Sequence, residues 1–458
     1  MSERTTTYQP RRASKTFQGL PCLSPRQGDP TRQNTQLRTA LIDCSLLGLL
    51  LVSAGCGGGG MMTPPPIMTP SLTATSSLIA TAGKPFEAAV SADGTVFVSV
   101  TADASAGSAT GVQVFSQSNG TLKSSCVNAL PAALLGSNTF FANLSFFPNG
   151  TDLGGGIGFP GAIFYHATDL VGCNDAGFVV GQRSTAGNNA GTLAVAATPD
   201  GKFAFVANES GVAPGAGTNG NIGVVAIQRD NVGNFTAGTT LMGQIATGGN
   251  AIAGMTLSPD GTRLYVTSEV AANGSVAAGG GNPILSKSGC LQGSVRGING
   301  LLTVIDVSKA EVTPDAGAIL ATVNAGCSPV RLSETADATT LWVTVRGDDR
   351  VLAFNTAKLE SDPNNALLGF ASTGGTAPVG LGLFHNDQLL AVANSNRFQT
   401  GTANATILNV ASPSMASVVA TIPTGNFPRE ITVGPDGATL YLTNFDSDTQ
   451  QVIQIAFH

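Results

Sequence analysis

Ser258-Pro259-Asp260-Gly261-Thr262-Arg263-Leu264-Tyr265-Val266-Thr267-Ser268 reads as the end of one strand, a tight turn and a second strand. Asp-Gly is a turn dipeptide, because Gly accepts the positive φ that closes the turn. Leu264, Tyr265 and Val266 are β-formers. The phrase recurs as Ala92-Asp93-Gly94, Pro199-Asp200-Gly201 and Pro435-Asp436-Gly437, followed by Phe97-Val98, Ala204-Phe205 and Leu440-Tyr441. Weaker copies stand at Pro148-Asn149-Gly150, Ala336-Asp337-Ala338 and Asn386-Asp387.

The turn residues 93, 149, 200, 260, 337, 386 and 436 are separated by 56, 51, 60, 77, 49 and 50 residues. A fixed period that fits four short strands per unit is the mark of a propeller blade. The expected fold is all-β: a seven-bladed β-propeller with four-stranded antiparallel blades. Blade 7 offers inner, second and third strands at Glu430–Val433, Thr439–Asn444 and Gln451–Phe457, and then the chain ends at His458. Unpaired sheet edges are a liability, so Leu72–Thr81 is expected to close that blade. Blade 2 is degenerate, with expected strands at Phe141–Phe147, Ala162–Ala167 and Phe178–Gln182. Its Gly154-Gly155-Gly156 run lacks the Gly-Lys-Ser/Thr ending of a phosphate loop and is expected to be a turn.

The phrase Ser-Pro-Asp-Gly-x-x-Leu-Tyr-Val-Thr-Ser resembles the YVTN-type β-propeller repeat, also seen in the lactonase-like seven-bladed family. The resemblance covers nearly the whole chain after residue 66. It implies the fold and, more loosely, sugar-lactone hydrolysis by acidic, Arg and His residues in the central channel. Propellers host many unrelated activities.

Before the repeats, Arg38 precedes the apolar run Ser45-Leu46-Leu47-Gly48-Leu49-Leu50-Leu51-Val52, which ends in Ser53-Ala54-Gly55-Cys56. This has the layout of a secretory signal and is shorter than the roughly 20 apolar residues of a membrane span. Small residues before Cys resemble the bacterial lipobox, although Ser53 stands where Leu is usual. An ordinary signal peptide cut nearby is the alternative. The expected organisation is therefore 1–55 leader and signal peptide, 56–70 a Gly/Pro tether lipid-anchored at Cys56, and 71–458 the propeller. The expected location is the bacterial cell envelope, as a periplasmic or outer-membrane lipoprotein. Without the leader the chain keeps 15 Lys/Arg and 25 Asp/Glu. That acidic balance argues against nucleic acid, since phosphate binding needs a basic surface.

Strand direction alternates within a blade, so the Asp-Gly turns emerge on one face. The other is expected to carry the insertions Ala102–Thr110, Thr168–Gly177, Glu209–Gly220, Val270–Asn299 and Ser395–Asn404. Variable loops on a rigid scaffold are where binding residues gather. Cys126, Cys173, Cys290 and Cys327 are all placed near that face. An exported chain favours disulfides, and the expected pairs are Cys126–Cys173 and Cys290–Cys327, with four buried thiols as the alternative.

The inner-strand position six before each turn residue lies near the channel mouth. It holds Glu87, Asn143, Ala194, Gly254, Arg331, Gly380 and Glu430. The ligand-binding candidates are Glu87, Asn143, Arg331 and Glu430, followed by residues at second-strand exits: Glu269, Arg346, Asn394 and Asn444, with Glu209 and Asp348 beside them. Arg331 is suited to clamp a carboxylate or phosphate, and Glu87 and Glu430 are neighbours around the ring. None of His166, His385 and His458 is expected to be a catalytic base. There is no Gly-x-Ser-x-Gly elbow and no His-Glu-x-x-His helix. No cofactor or metal is expected. The preferred reading is a monomeric, lipid-anchored propeller that binds a small molecule, glycan or protein through its loop-rich face, touching the membrane only through its lipid. The rival is a periplasmic lactonase of the 6-phosphogluconolactonase-like kind.

Overall fold

The structure, a computed structural model, describes residues 71–103, 107–118, 121–136, 139–182, 191–209, 220–271, 300–397 and 402–458. The leader, Cys56 and the tether lie outside the described residues. Ile67–His458 form one compact unit.

Seven four-stranded antiparallel sheets follow one another around a ring. From inner to outer strand, blade 1 is Lys84–Val90, Val96–Thr101, Gly111–Ser118 and Thr121–Ala129. Blade 4 is Gly249–Leu257, Arg263–Ala271, Leu301–Asp306 and Ile319–Asn324. Blade 5 is Pro329–Glu334, Thr340–Val345, Arg350–Asn355 and Leu367–Ser372. In blade 7 the strands Pro428–Val433, Thr439–Asn444 and Thr449–Phe457 are completed by Leu72–Ala80. That last pairing is continuous, from Leu72 opposite Phe457 to Ala80 opposite Thr449. Both ends of the described chain thus share one sheet, as the missing strand required.

A single blade cannot bury its faces, and the core accordingly lies between blades. Phe97, Val112 and Val114 of blade 1 meet Phe141, Leu144 and Leu153 of blade 2. Tyr265 and Val304 of blade 4 meet Leu341 and Phe354 of blade 5. Tyr441 of blade 7 packs on Ala88, Val96 and Val98 of blade 1 and seals the ring. Each fully buried Val, Leu or Phe contributes about 1.5–3 kcal/mol. The turns are as read: Gly261 has φ +70°, and the Asp260 carboxylate accepts from Ser258 Oγ at 2.6 Å and from the Thr262 N–H at 3.0 Å.

Blade 2 departs from expectation. Its strands are Leu144–Phe146, Asp152–Gly156, Ala162–His166 and Phe178–Val180, so the Gly154-Gly155-Gly156 run is the second strand and not a turn. The glycines are there for space. A Cβ on Gly154 would lie 2.6 Å from Val195 Cγ1, and one on Gly155 2.6 Å from Phe141 Cε1. Bulky neighbours, not β-propensity, chose these residues.

This shift moves Ala162–His166 to third strand, so the Thr168–Gly177 connection emerges on the Asp-Gly face, not with the insertions. It contains a short helix, α1 (Ala167–Val171). Equivalent helices α2 (Val307–Val312) and α3 (Thr356–Ser361) follow the third strands of blades 4 and 5. Asp306 and Asn355 cap these two by accepting from the N–H of Lys309 and Lys358. Cys173 follows α1 and forms the expected disulfide with Cys126, but from the Asp-Gly side. Cys126 lies within the blade 1 outer strand, beside Val114. Cys327 is buried and disulfide-bonded; its expected partner, Cys290, lies outside the described residues. Among the described residues no helix is long and apolar enough to cross a membrane.

Candidate functional site at the channel mouth

Pro85, Pro329, Pro378 and Pro428 begin or nearly begin the inner strands of blades 1, 5, 6 and 7. After each the ladder slips, between Pro85 and Ala88, Pro329 and Leu332, Pro378 and Leu381, and Pro428 and Ile431. Pro donates no ladder hydrogen bond, and a bulge of this kind re-aims side chains. The bulged pairs are Phe86-Glu87, Val330-Arg331, Val379-Gly380 and Arg429-Glu430. The preceding residues Ser328, Ala377 and Phe427 have φ of 53°, 51° and 51°, a left-handed conformation that non-glycine residues hold only under constraint.

Second-strand hydroxyls lock the bulges. Ser99, Thr344 and Thr443 accept the N–H of Glu87, Arg331 and Glu430 at 3.1, 3.0 and 3.1 Å. The same hydroxyls donate to the next blade, at Ala142 O just before its inner strand (3.0 Å) and at Val379 O (2.6 Å) and Phe86 O (2.9 Å) within theirs. Blade-to-blade spacing and the channel side chains are therefore fixed by one set of bonds.

The mouth encloses a cavity of about 170 Å³. Arg331 Nη2 meets Glu430 Oε1 at 2.5 Å, and its Nη1 donates to Ala253 O. Asn143 donates to Glu87 Oε2 at 2.6 Å. Arg346 pairs with Glu269 at 2.6 Å. Of the expected residues, Arg331, Glu269 and Arg346 line the cavity together with Glu209. Glu430 reaches it only through its pair with Arg331, and Glu87 and Asn143 are bonded to each other outside that lining. Asn394 and Asn444 do not line it: both are buried and bind within their own blades. Asn394 donates to Asn404 Oδ1 at 2.8 Å, and Asn444 to Gln451 Oε1 at 3.1 Å. Asp348 is also buried, accepting the Cys327 N–H at 3.0 Å.

Phe86, Phe427, Arg397 and Arg429 also line the cavity and were missed by the spacing rule. The Arg429 guanidinium lies 3.4 Å from the Phe86 ring centroid and 5.4 Å from those of Phe427 and Phe445. Among the described residues no carboxylate lies within ion-pair distance of it, and its Nε is buried without a hydrogen-bond partner. The recurrent Pro-x-x at inner-strand starts was the available signal, since a bulge exposes two successive side chains to the mouth.

Ionisation follows the crowding. Burial, then the neighbouring Glu430, pushes Glu87 up to about 8. Burial raises Glu430 against the pull of Arg331 and Arg429. Burial, then repulsion from Arg331, brings Arg429 down to about 9, and burial and Arg346 lower Arg397. The arrangement can present a poorly solvated cation to an anion, and places a carboxyl that favours its proton beside a carboxylate held by Arg331.

No protein-family model matches the chain, and no curated protein matches it. Solved structures share the fold. A chain of the mitotic checkpoint complex crystal structure is 12% identical with a TM-score of 0.56, covering 89% of this chain and 100% of its own. A chain of Kuenenia stuttgartiensis hydrazine synthase is 17% identical with a TM-score of 0.53, covering 81% of this chain and 96% of its own. Fold and likeness together define a seven-bladed β-propeller.

Proposed function

We propose that this protein is an exported, lipid-anchored propeller that binds a small molecule carrying a carboxylate at the channel mouth. The observation that carries the reading is Arg429, a cation cupped by Phe86, Phe427 and Phe445 at a cavity wall with no described carboxylate to pair with. Arg is the side chain best matched to a planar carboxylate. A cavity of about 170 Å³ limits the enclosed part of the ligand to the size of a small ring or short chain. Calorimetric titration of the full chain with small mono- and dicarboxylates, each beside its amide, tests this. An acid should bind and its amide should not, and Arg429→Gln should weaken the acid by about 10–100-fold. Binding of no acid, or equal binding by the variant, refutes it. Export and anchoring rest on Ser53-Ala54-Gly55-Cys56; labelled palmitate should enter the wild-type chain and not Cys56→Ala.

The charge interaction of Glu87 with Glu430, the partner of the cavity-lining Arg331, favours a second reading, hydrolysis of a sugar lactone at that cavity. Glu87 and Glu430 do not line the cavity themselves, so on this reading they act through Arg331, the group that would meet the lactone. Turnover of a lactone panel, abolished in Glu430→Gln and Arg331→Ala, would establish it over simple binding.

A further inference from the structure

On the opposite, Asp-Gly face a second pocket of about 430 Å³ opens between blades 2 and 3. Its floor is a buried charge cluster. Asp152, only 2% exposed, is the cross-strand partner of His166. Its Oδ1 meets His166 Nδ1 at 2.6 Å. Its Oδ2 meets Arg229 Nη2 at 2.8 Å and accepts from Asn149 Nδ2 at 2.6 Å. His166 stacks on Phe235 with centroids 4.9 Å apart, and Arg229 lies over the same ring at 4.3 Å.

Comparison with other blades shows that this pair is not what the fold asks for. At the place of His166, blades 4 and 5 carry Asp306 and Asn355, which cap α2 and α3, opposite Arg263 and Thr340. His166 precedes α1 and gives it no side-chain cap. Where those blades have a capping residue, blade 2 has an imidazole held by a buried carboxylate.

We propose that this pocket is a carbohydrate-binding site in which His166 Nε2 accepts a hydrogen bond from a sugar hydroxyl. The carboxylate of Asp152 can only accept, so Nδ1 carries the proton that points to it, and in the neutral tautomer Nε2 is then the acceptor. Nδ1 is occupied, so Nε2 is the nitrogen left for the pocket that His166 lines. Thr151, Thr168, Asp169 and Asn234 complete the wall with hydroxyls, an amide and a carboxylate, the donors and acceptors that polyol recognition uses. Val232 adds an apolar contact at the rim, where it is 82% exposed. Arg229 is already matched by Asp152 and Asp169 adds a negative charge, so the pocket has no positive excess to select an anion. A pocket of this volume falls in the usual range for small-ligand sites.

The test uses the full chain labelled with ¹⁵N-histidine and titrated with D-glucose, D-galactose, D-mannose and N-acetyl-D-glucosamine. The expected results are a neutral His166 protonated at Nδ1, and a saturable shift of its Nε2 resonance with at least one sugar. Affinity for that sugar should fall about tenfold in His166→Phe and in Thr168→Val, the loss of one hydrogen bond, and stay unchanged in Arg429→Gln. Should His166→Phe fail to fold, Thr168→Val decides. The proposal is overturned if no sugar moves the resonance, if Thr168→Val binds as wild type, or if Arg429→Gln alone abolishes binding.

Discussion

The aspartates of the Asp-Gly turns and the glutamates of the channel mouth are the same functional group in opposite surroundings. Hydrogen bonds from Ser91, Ser258 and Thr335, then from Thr95, Thr262 and Thr339, hold Asp93, Asp260 and Asp337 below the usual carboxylate range. Burial drives Glu87 and Glu430 above it. The first group gains from folding in its charged form; the second is held where charge is disfavoured. Turn carboxylates serve the fold, whereas mouth carboxylates are carried by it, and that difference separates scaffold from site.

The largest effect should come from breaking the mouth's ion pair on one side. Arg331→Met leaves Glu430 buried without its partner and should lose about 3–5 kcal/mol of stability in urea unfolding. The double variant Arg331→Met/Glu430→Leu should recover most of that loss, because a buried pair can be replaced by apolar packing at little cost. A double variant as unstable as the single one would make the pair a pillar of the fold and erase the contrast. A smaller loss, about 1 kcal/mol, is expected for Asp260→Ala, which removes one turn's hydrogen bonds, with ligand binding untouched. The pH dependence of that loss also has a fixed sign. The folded-state value of Asp260 is depressed, so its contribution is present above the unfolded value near 3.9 and disappears as pH falls through the lower folded one. The gap between wild type and Asp260→Ala should therefore narrow on acidification below about pH 4.

The same contrast explains what could be read from sequence. Turn chemistry is local, so Asp93-Gly94, Asp200-Gly201, Asp260-Gly261 and Asp436-Gly437 announce the blades, and the absent fourth strand after Gln451–Phe457 points to Leu72–Ala80. The spacing from those turns also led to Arg331, which lines the cavity, and to Glu87 and Glu430, which interact with it by charge. Arg429 and Phe86 escaped because a bulge breaks the alternation on which a spacing rule rests. Asn394 and Asn444 were over-read, since a polar strand end looks alike whether it faces a ligand or, as here, Asn404 and Gln451. Blade 2 was misread because Gly154 and Gly155 face the bulk of Val195 and Phe141, and Gly156 faces the backbone of Thr192 and Leu193, which only the fold brings near.

The most direct test is the unfolding free energy of Glu87→Gln against wild type across the neutral range. Glu87 is raised from 4.5 to about 8 in the folded state, so wild type binds an extra proton on folding and loses stability as pH climbs between those values. Gln lacks that proton, so the variant should gain on wild type steadily up to about pH 8 and be the more stable chain there. A Glu87→Gln chain that is less stable than wild type throughout, with a parallel pH profile, would mean that the mouth carboxylate serves the fold after all.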